Sequence, residues 1–222
     1  DSGQAVRARA VVVATGVQYR RLPIRGLAQL EGAGVYYAAT ENEARSCHDG
    51  DVVVIGGGNS AGQAAMYLSR SARSVRVLVR GSSLAASMSS YLSSRLEADP
   101  AITIDYGSEV VSLEGDERLE RISIRDVVSG DERVVDACSL FVMVGAAPNT
   151  DWLSGLVSLD DKGFVVTGDA AGAASSYATS CPGIFAVGDV RARSVKRVAS
   201  SVGEGSVVIS QVWDFLNPSL GR

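Results

Sequence analysis

Six consecutive residues, Gly56-Gly57-Gly58-Asn59-Ser60-Ala61, carry the clearest ligand chemistry in the sequence. They have the form GxGxxA. Gly56 permits a tight turn, and Gly58 lets a pyrophosphate approach the backbone with no side chain in the way. Ala61 is small enough for a helix to pack closely on a sheet. The amino end of such a helix offers free N–H groups and the positive end of its dipole to phosphates. The string alone is weak evidence, because glycine turns also serve structure only. Its surroundings strengthen it. DVVVI (51–55) precedes it as a buried strand, residues 59–72 follow with helical spacing, and VRVLV (75–79) reads as the next strand. Residues 51–80 are thus predicted to be a βαβ unit that binds a dinucleotide through Gly56, Gly58, Asn59, Ser60 and Ala61.

The residue that ends the second strand selects the nucleotide. A carboxylate there accepts hydrogen bonds from the ribose 2′-hydroxyl of NAD. This sequence has Arg80 instead, and no acidic residue lies between Asp51 and Glu97. A 2′-phosphate repels a carboxylate and is gripped by an arginine fork. Arg70, Arg73, Arg76 and Arg95 share the stretch, and Arg70, Arg73 and Arg95 fit a solvated helix face. Arg80 is the expected phosphate ligand, and NADPH the expected nucleotide.

Around this unit, residues 9–14 form an apolar run that stops at Thr15-Gly16, and residues 20–34 are loop-like. Residues 86–98 predict a helix with Met88, Tyr91, Leu92 and Leu96 on one face, stopped by Pro100. Three alternating runs, 109–115, 119–127 and 132–137, predict an antiparallel three-stranded meander. A buried strand over 140–145 ends at Gly145 and Pro148. Short strands are expected at 163–167 and 184–187, and a long helix at 198–216. The fold class is α/β: a Rossmann-like NAD(P)-binding domain with a three-stranded β-meander, plus an incomplete FAD-binding domain implied by the resemblance below.

Composition excludes several alternatives. Of 222 residues, 46% are hydrophobic, enough for a sizeable core, and the net charge of −4 argues against nucleic acid as the main partner. No run of about 18 apolar residues predicts a membrane span, and DSGQAVRARA is not a signal peptide. Cys47, Cys138 and Cys181 have no metal-knuckle or CxxC spacing and read as buried or half-buried thiols of a cytoplasmic protein. His48 is the single histidine, which disfavours histidine triads and multi-histidine metal sites; no metal is expected.

These motifs resemble the thioredoxin reductases and their relatives among the pyridine nucleotide-disulfide oxidoreductases. VVVATG (11–16) resembles the segment closing the first portion of the FAD domain, and GGGNSA (56–61) the NADPH loop. FVMVGAAPNT (141–150) is similar to the strand and turn that return to the FAD domain. PGIFAVGDV (182–190) resembles the strand whose final aspartate, here Asp189, hydrogen-bonds the flavin ribityl chain. KRVASSVGEG (196–205) resembles the helix start beside the flavin ring. The resemblance implies that residues 1–22 end the first portion of the FAD domain, 23–146 form the NADPH-binding domain and 147–222 the second portion of the FAD domain. It implies FAD as second cofactor, with contacts from Thr15, Gly16, Gly188, Asp189, Lys196, Arg197 and Val198, and it adds Gly145 as a further cofactor-binding residue. A cation near the ring favours the reduced, anionic flavin, and Lys196 and Arg197 fit that role or, equally, a basic helix start at the surface. The family also implies a homodimer, and a rotation between domains with hinges near 21–25 and 145–149.

Two departures shape the functional expectation. The family's CxxC falls on VYYAATENE (35–43), where Ala38 and Glu41 replace the cysteines, so the usual dithiol route to thioredoxin is absent. GNSAGQAAMYLSR, LAASMSSYL and VKRVASSVGEGS resemble a branch without the CxxC, often fused to a cyclic-nucleotide-binding domain. The second departure is that no other glycine loop supplies the ADP half of an FAD site, so the chain resembles a fragment expected to hold FAD weakly or not at all and to be inactive alone. The expected activity of the complete protein is hydride transfer from NADPH to FAD. No side chain is needed as acid or base, and the acceptor is a ferredoxin-like carrier, a quinone or a small oxidant. The alternative is a non-catalytic NADPH-binding module that reports redox state.

Overall fold

A computed structural model describes residues 3–45 and 47–218. The chain divides into two compact units, one of Asp1–Gln18 with Ala146–Arg222 and one of Tyr19–Gly145. In chain order the strands are β1 (Val11–Val13), β2 (Val17–Tyr19), β3 (Val35–Tyr36), β4 (Asp51–Ile55), β5 (Ser74–Val79) and β6 (Ile102–Tyr106). They continue with β7 (Ser108–Glu114), β8 (Arg121–Asp126), β9 (Glu132–Asp136), β10 (Ser139–Val142), β11 (Ala146–Pro148) and β12 (Ile184–Ala186). The helices are α1 (Leu27–Leu30), α2 (Glu41–Arg45), α3 (Asn59–Leu68), α4 (Ser90–Ala98) and α5 (Val198–Leu216).

The Tyr19–Gly145 unit is built on a parallel five-stranded sheet in the order β3-β10-β4-β5-β6. Both faces of its central strands are buried, which is why residues 52–55 (VVVI) read as an unbroken apolar run. Val52 and Val54 face α3 and α4 together with Ala61, Ala65, Leu68 and Leu96. Val53 and Ile55 face the other way, onto Leu113, Ile122 and Ile124 of the meander and Leu27 and Leu30 of α1. The meander β7-β8-β9 is antiparallel, with an irregularity between Val110 and Ser112. Ile122 is fully buried at 0% exposure. Ile122→Val should therefore cost about 1 kcal/mol, read as a lower urea midpoint with an unchanged slope.

In the other unit β1 pairs in parallel with β12, Val13 opposite Ala186. Val13, Leu153, Val165, Ala186 and Val190 form one core cluster, and Val208 of α5 packs with Phe185 and Val187 in another. Val198, Val202, Ile209 and Trp213 leave an exposed apolar face on α5. β2 and β11 form a separate two-stranded sheet.

Several elements differ from expectation. The helix expected over 59–72 ends at Leu68, where the N–H groups of Ser71 and Ala72 both turn back to Leu68 O. The helix expected from 86 starts at Ser90, because residues 87–89 are held on the glycine loop: Ser87 Oγ donates to Gly57 O at 2.7 Å and Ser89 N–H to Asn59 Oδ1 at 2.8 Å. Residues 163–167 form no strand; Val165 makes single bridges to Leu159 and Arg191. The loop 20–34 contains the short helix α1, anchored by buried Leu27 and Leu30.

Candidate functional site

The GxGxxA residues occupy the turn from β4 into α3. Gly56 has φ +140°, and its N–H donates to Leu78 O at 3.1 Å. A Cβ there would lie 2.6 Å from Met143 O and 3.0 Å from Ala61 Cβ, so β10, β4 and α3 close together only over glycine. Gly58 is different: its φ is −94°, and a Cβ would meet only Ser87 O, at 3.8 Å. The space above it is open. Gly58 precedes the ten-residue helix α3 and no side chain caps it, so the first N–H groups of the helix have no side-chain acceptor. Ala61 is 0% exposed, in the close helix-to-sheet contact its size allows.

A groove of about 1150 Å³ runs over the C-terminal ends of β4, β5 and β10. Gly56, Gly58, Asn59, Ser60, Arg80 and Gly145 all line it, so the structure gathers them in one place; Ala61 lies beneath. Arg80 is exposed and has neither ion pair nor hydrogen bond among the described residues. Three of the four arginines near it in sequence are spent elsewhere. Arg73 pairs with Asp51 (Nε–Oδ1 2.9 Å), Arg76 with Asp105 at 2.7 Å, and Arg95 donates to Tyr91 Oη at 3.0 Å. Hydrogen bonds from Arg73, outweighing burial, hold the Asp51 carboxyl below the usual carboxylate range, so this pair stays charged at neutral pH. Sequence reasoning missed four charged groups of the groove: Arg20, Arg21 (paired with Glu31), Glu109 and Arg125. Their spacing along the chain gives no signal; strand pairing brings them in.

In the other unit, Thr15-Gly16 follows β1 and Gly188-Asp189 follows β12. The two strands are parallel and in register, so all four residues lie off the same end of one strand pair. Thr15 and Asn149 are reciprocally bonded: Thr15 Oγ1 donates to Asn149 O at 3.1 Å and Asn149 Nδ2 to Thr15 O at 2.8 Å. One Asp189 carboxylate oxygen accepts from Ser201 Oγ at 3.4 Å, and the other has no protein partner among the described residues. Lys196 Nζ donates to Asp189 O at 3.0 Å and sits 4.1 Å from the centre of the Phe164 ring. Desolvation there pulls its ammonium below the usual lysine range, against the attraction of Asp189 and Asp160. Arg197 and Val198, at the start of α5, are both exposed, with Arg197 outside any ion pair among the described residues.

Ala38 precedes α2, and Glu41 opens it with its carboxylate on Arg45 at 2.6 Å. Cys47 is buried, and burial pushes its thiol above the usual range despite a hydrogen bond to Ser139. His48 is exposed against Asp49. Among the described residues no cluster suits a metal ion, and no helix is long and apolar enough to cross a membrane.

A parallel sheet with a glycine loop at the carboxyl ends of its strands defines a Rossmann-type dinucleotide-binding fold. The chain belongs to the pyridine nucleotide-disulphide oxidoreductase family, whose model matches residues 1–205. It is 36% identical over 205 residues to a thioredoxin reductase of Streptomyces clavuligerus, covering 92% of this chain and 61% of that protein. It is 34% identical to a thioredoxin reductase of Streptomyces coelicolor, covering 97% of this chain and 64% of the relative. Among solved structures, the thioredoxin reductase of Streptococcus pyogenes superposes with a TM-score of 0.78 at 30% identity, covering 94% of this chain and 66% of the other. The chain thus spans about three fifths of the length of these curated relatives (61% and 64%).

Proposed function

We propose that the chain is the larger part of an NADPH-dependent flavin oxidoreductase of thioredoxin reductase type, in which hydride passes from NADPH to FAD. One observation carries the nucleotide assignment: unpaired Arg80 stands in the same groove as the open, uncapped start of α3. When bound together, the two cofactors supply the redox chemistry themselves. The N–H groups from Gly58 onward receive the pyrophosphate, and Arg80 receives the 2′-phosphate. Gly145, in the groove wall, leaves room beside the loop. Asp189 offers its free carboxylate oxygen to the ribityl hydroxyls of FAD, and Thr15, Gly16 and Gly188 keep the end of the β1–β12 pair low enough for a flavin to approach. Lys196, Arg197 and Val198 flank that end.

The acceptor is not reached through a CxxC dithiol, because Ala38 and Glu41 can neither form nor attack a disulfide. A ferredoxin-like carrier or a small oxidant fits, and the complete protein is a cytoplasmic homodimer in this reading. Anaerobic addition of NADPH to the full-length protein should bleach its flavin absorbance. Failure to bleach a flavin-loaded sample would sink the enzyme reading and favour the non-catalytic NADPH module, for which the missing dithiol speaks. Arg80→Ala should weaken NADPH binding about 10- to 100-fold, the worth of one or two charge-assisted hydrogen bonds, with NADH little changed. Equal losses for both nucleotides would remove Arg80 as the 2′-phosphate ligand.

A further inference from the structure

The acidic residue that sequence reasoning finds missing beside Arg80 is supplied by the meander. Val79 of β5 stands opposite Tyr106 of β6, and Gly107 N–H donates to Gly81 O at 3.1 Å. β7 begins at the next residue, Ser108, so Glu109 is carried to the flank of the β5 end that Arg80 occupies. Glu109 and Arg80 line the same groove. A carboxylate in that position would accept a ribose 2′-hydroxyl and repel a 2′-phosphate.

It is not left bare. Glu109 stands directly opposite Arg125 in the β7–β8 ladder, and Oε1 takes hydrogen bonds from Arg125 Nη2 at 2.6 Å and Nε at 3.1 Å. Arg125 lines the groove as well. Glu132 stands 3.9 Å from Arg125 on its other side, outside the groove lining, and Glu109 makes the shorter contacts. With both partners about two-fifths exposed, at 43% and 38%, the pair is a surface device that binding of a charged ligand can feel.

We propose that the Glu109–Arg125 pair is a specificity determinant of the nucleotide site: Arg125 neutralises Glu109, and so permits the 2′-phosphate that Arg80 receives. The proposal rests on the NADPH reading above and adds a residue pair to it. It makes Arg125 a positioning residue, acting through Glu109, and predicts that the preference is lost by exposing the carboxylate rather than by losing a cation.

The test is direct titration of NADPH and NADH against the full-length protein, with no turnover required. Arg125→Ala should lower the ratio of NADPH to NADH affinity about tenfold or more. Adding Glu109→Gln to that variant should restore most of the ratio, although the arginine is still missing. Glu109→Gln alone should keep or raise it. Arg125→Lys should retain most of the preference, which separates charge from fold. The Arg125→Ala effect should shrink with added salt, since exposed charges are screened beyond about 8 Å at physiological ionic strength. An Arg125→Ala protein with the wild-type ratio overturns the inference, whatever Arg80→Ala does. A double variant no better than Arg125→Ala also overturns it, because Arg125 would then be a direct phosphate ligand. If Arg125→Ala lowers the ratio, the double variant restores it and Arg80→Ala leaves it unchanged, the inference stands and the role given to Arg80 falls.

Discussion

Gly56→Ala should all but abolish dinucleotide binding and cost the Tyr19–Gly145 unit at least about 2 kcal/mol of stability. The backbone at Gly56 has φ +140°, a region where a side chain costs about 1–3 kcal/mol before any contact is counted. The contact is also bad: the new Cβ would fall 2.6 Å from Met143 O, a backbone atom of the segment following β10, which a rotamer change cannot move. Relief requires the turn to shift away from β10, and the start of α3 moves with it. The N–H groups that the proposed function assigns to the pyrophosphate are then misdirected. Losing two charge-assisted hydrogen bonds, each about 1.5–3 kcal/mol, weakens binding a hundredfold or more. Gly57→Ala is the control. Gly57 has no positive φ, and its Cβ would meet side-chain atoms of Val79 and Ser87 at 3.3 and 3.4 Å, so a smaller stability loss is expected. Thermal melts and an NADPH titration on both variants check the contrast. Equal melting temperatures for Gly56→Ala and wild type would show that the turn tolerates a side chain after all.

The glycine loop is legible in the sequence because each of its requirements is local. A tight turn, an open backbone and a small helix residue are written in six consecutive positions, and the strand before them is apolar from Val52 to Ile55 since both faces of the sheet are covered there. The meander strands are legible for a different reason, the alternation of apolar and polar residues: in β8 the buried Ile122 and Ile124 alternate with Arg121, Ser123 and Arg125, of which Arg121 is exposed and Ser123 buried. β6 is not legible. ITIDY is a short edge strand whose Asp105 is drawn inward by Arg76 of β5 and Arg133 of β9, and neither partner is near it in sequence. Val165 imitates a strand residue because it is buried in a core cluster with Leu153 and Val190, while its ladder contacts stop at single bridges to Leu159 and Arg191. The charge balance of the groove is the largest omission. Counting acidic residues from Asp51 to Glu97 treats the site as one contiguous segment, whereas Glu109 and Arg125 reach it from another sheet.

Glu204→Ala should be the most damaging single change in the unit formed by Asp1–Gln18 and Ala146–Arg222, at about 3–5 kcal/mol. Glu204 sits on α5 with its side chain 11% exposed, and its oxygens are fully used. Oε1 takes Arg191 Nη2 at 2.6 Å, while Oε2 takes Arg191 Nε at 3.3 Å and the Gly188 N–H at 2.6 Å. Arg191 is itself 19% exposed and lies 5.2 Å from the Tyr177 ring centre, so removing the carboxylate strands a largely buried cation and orphans a backbone donor. The same contacts set the pH dependence. Burial alone would raise the Glu204 pKa, but the hydrogen bonds from Arg191 and Gly188 outweigh it and hold the carboxyl below its ordinary value. A carboxyl whose folded pKa is depressed adds stability that is complete above its unfolded pKa, about 4.3, and is lost as pH falls through the folded value. Wild-type stability should thus drop on acidification below that point, and the Glu204→Ala curve should lack this component. Gly188 immediately precedes Asp189 and, with φ +73°, forms the bend that presents it. Amide exchange should accelerate over residues 184–216 in the variant and stay unchanged over 51–79. If Asp189 is held in place through Gly188, flavin affinity falls together with stability. Unchanged flavin affinity in a destabilised variant would mean that β12 sets the turn without help from α5.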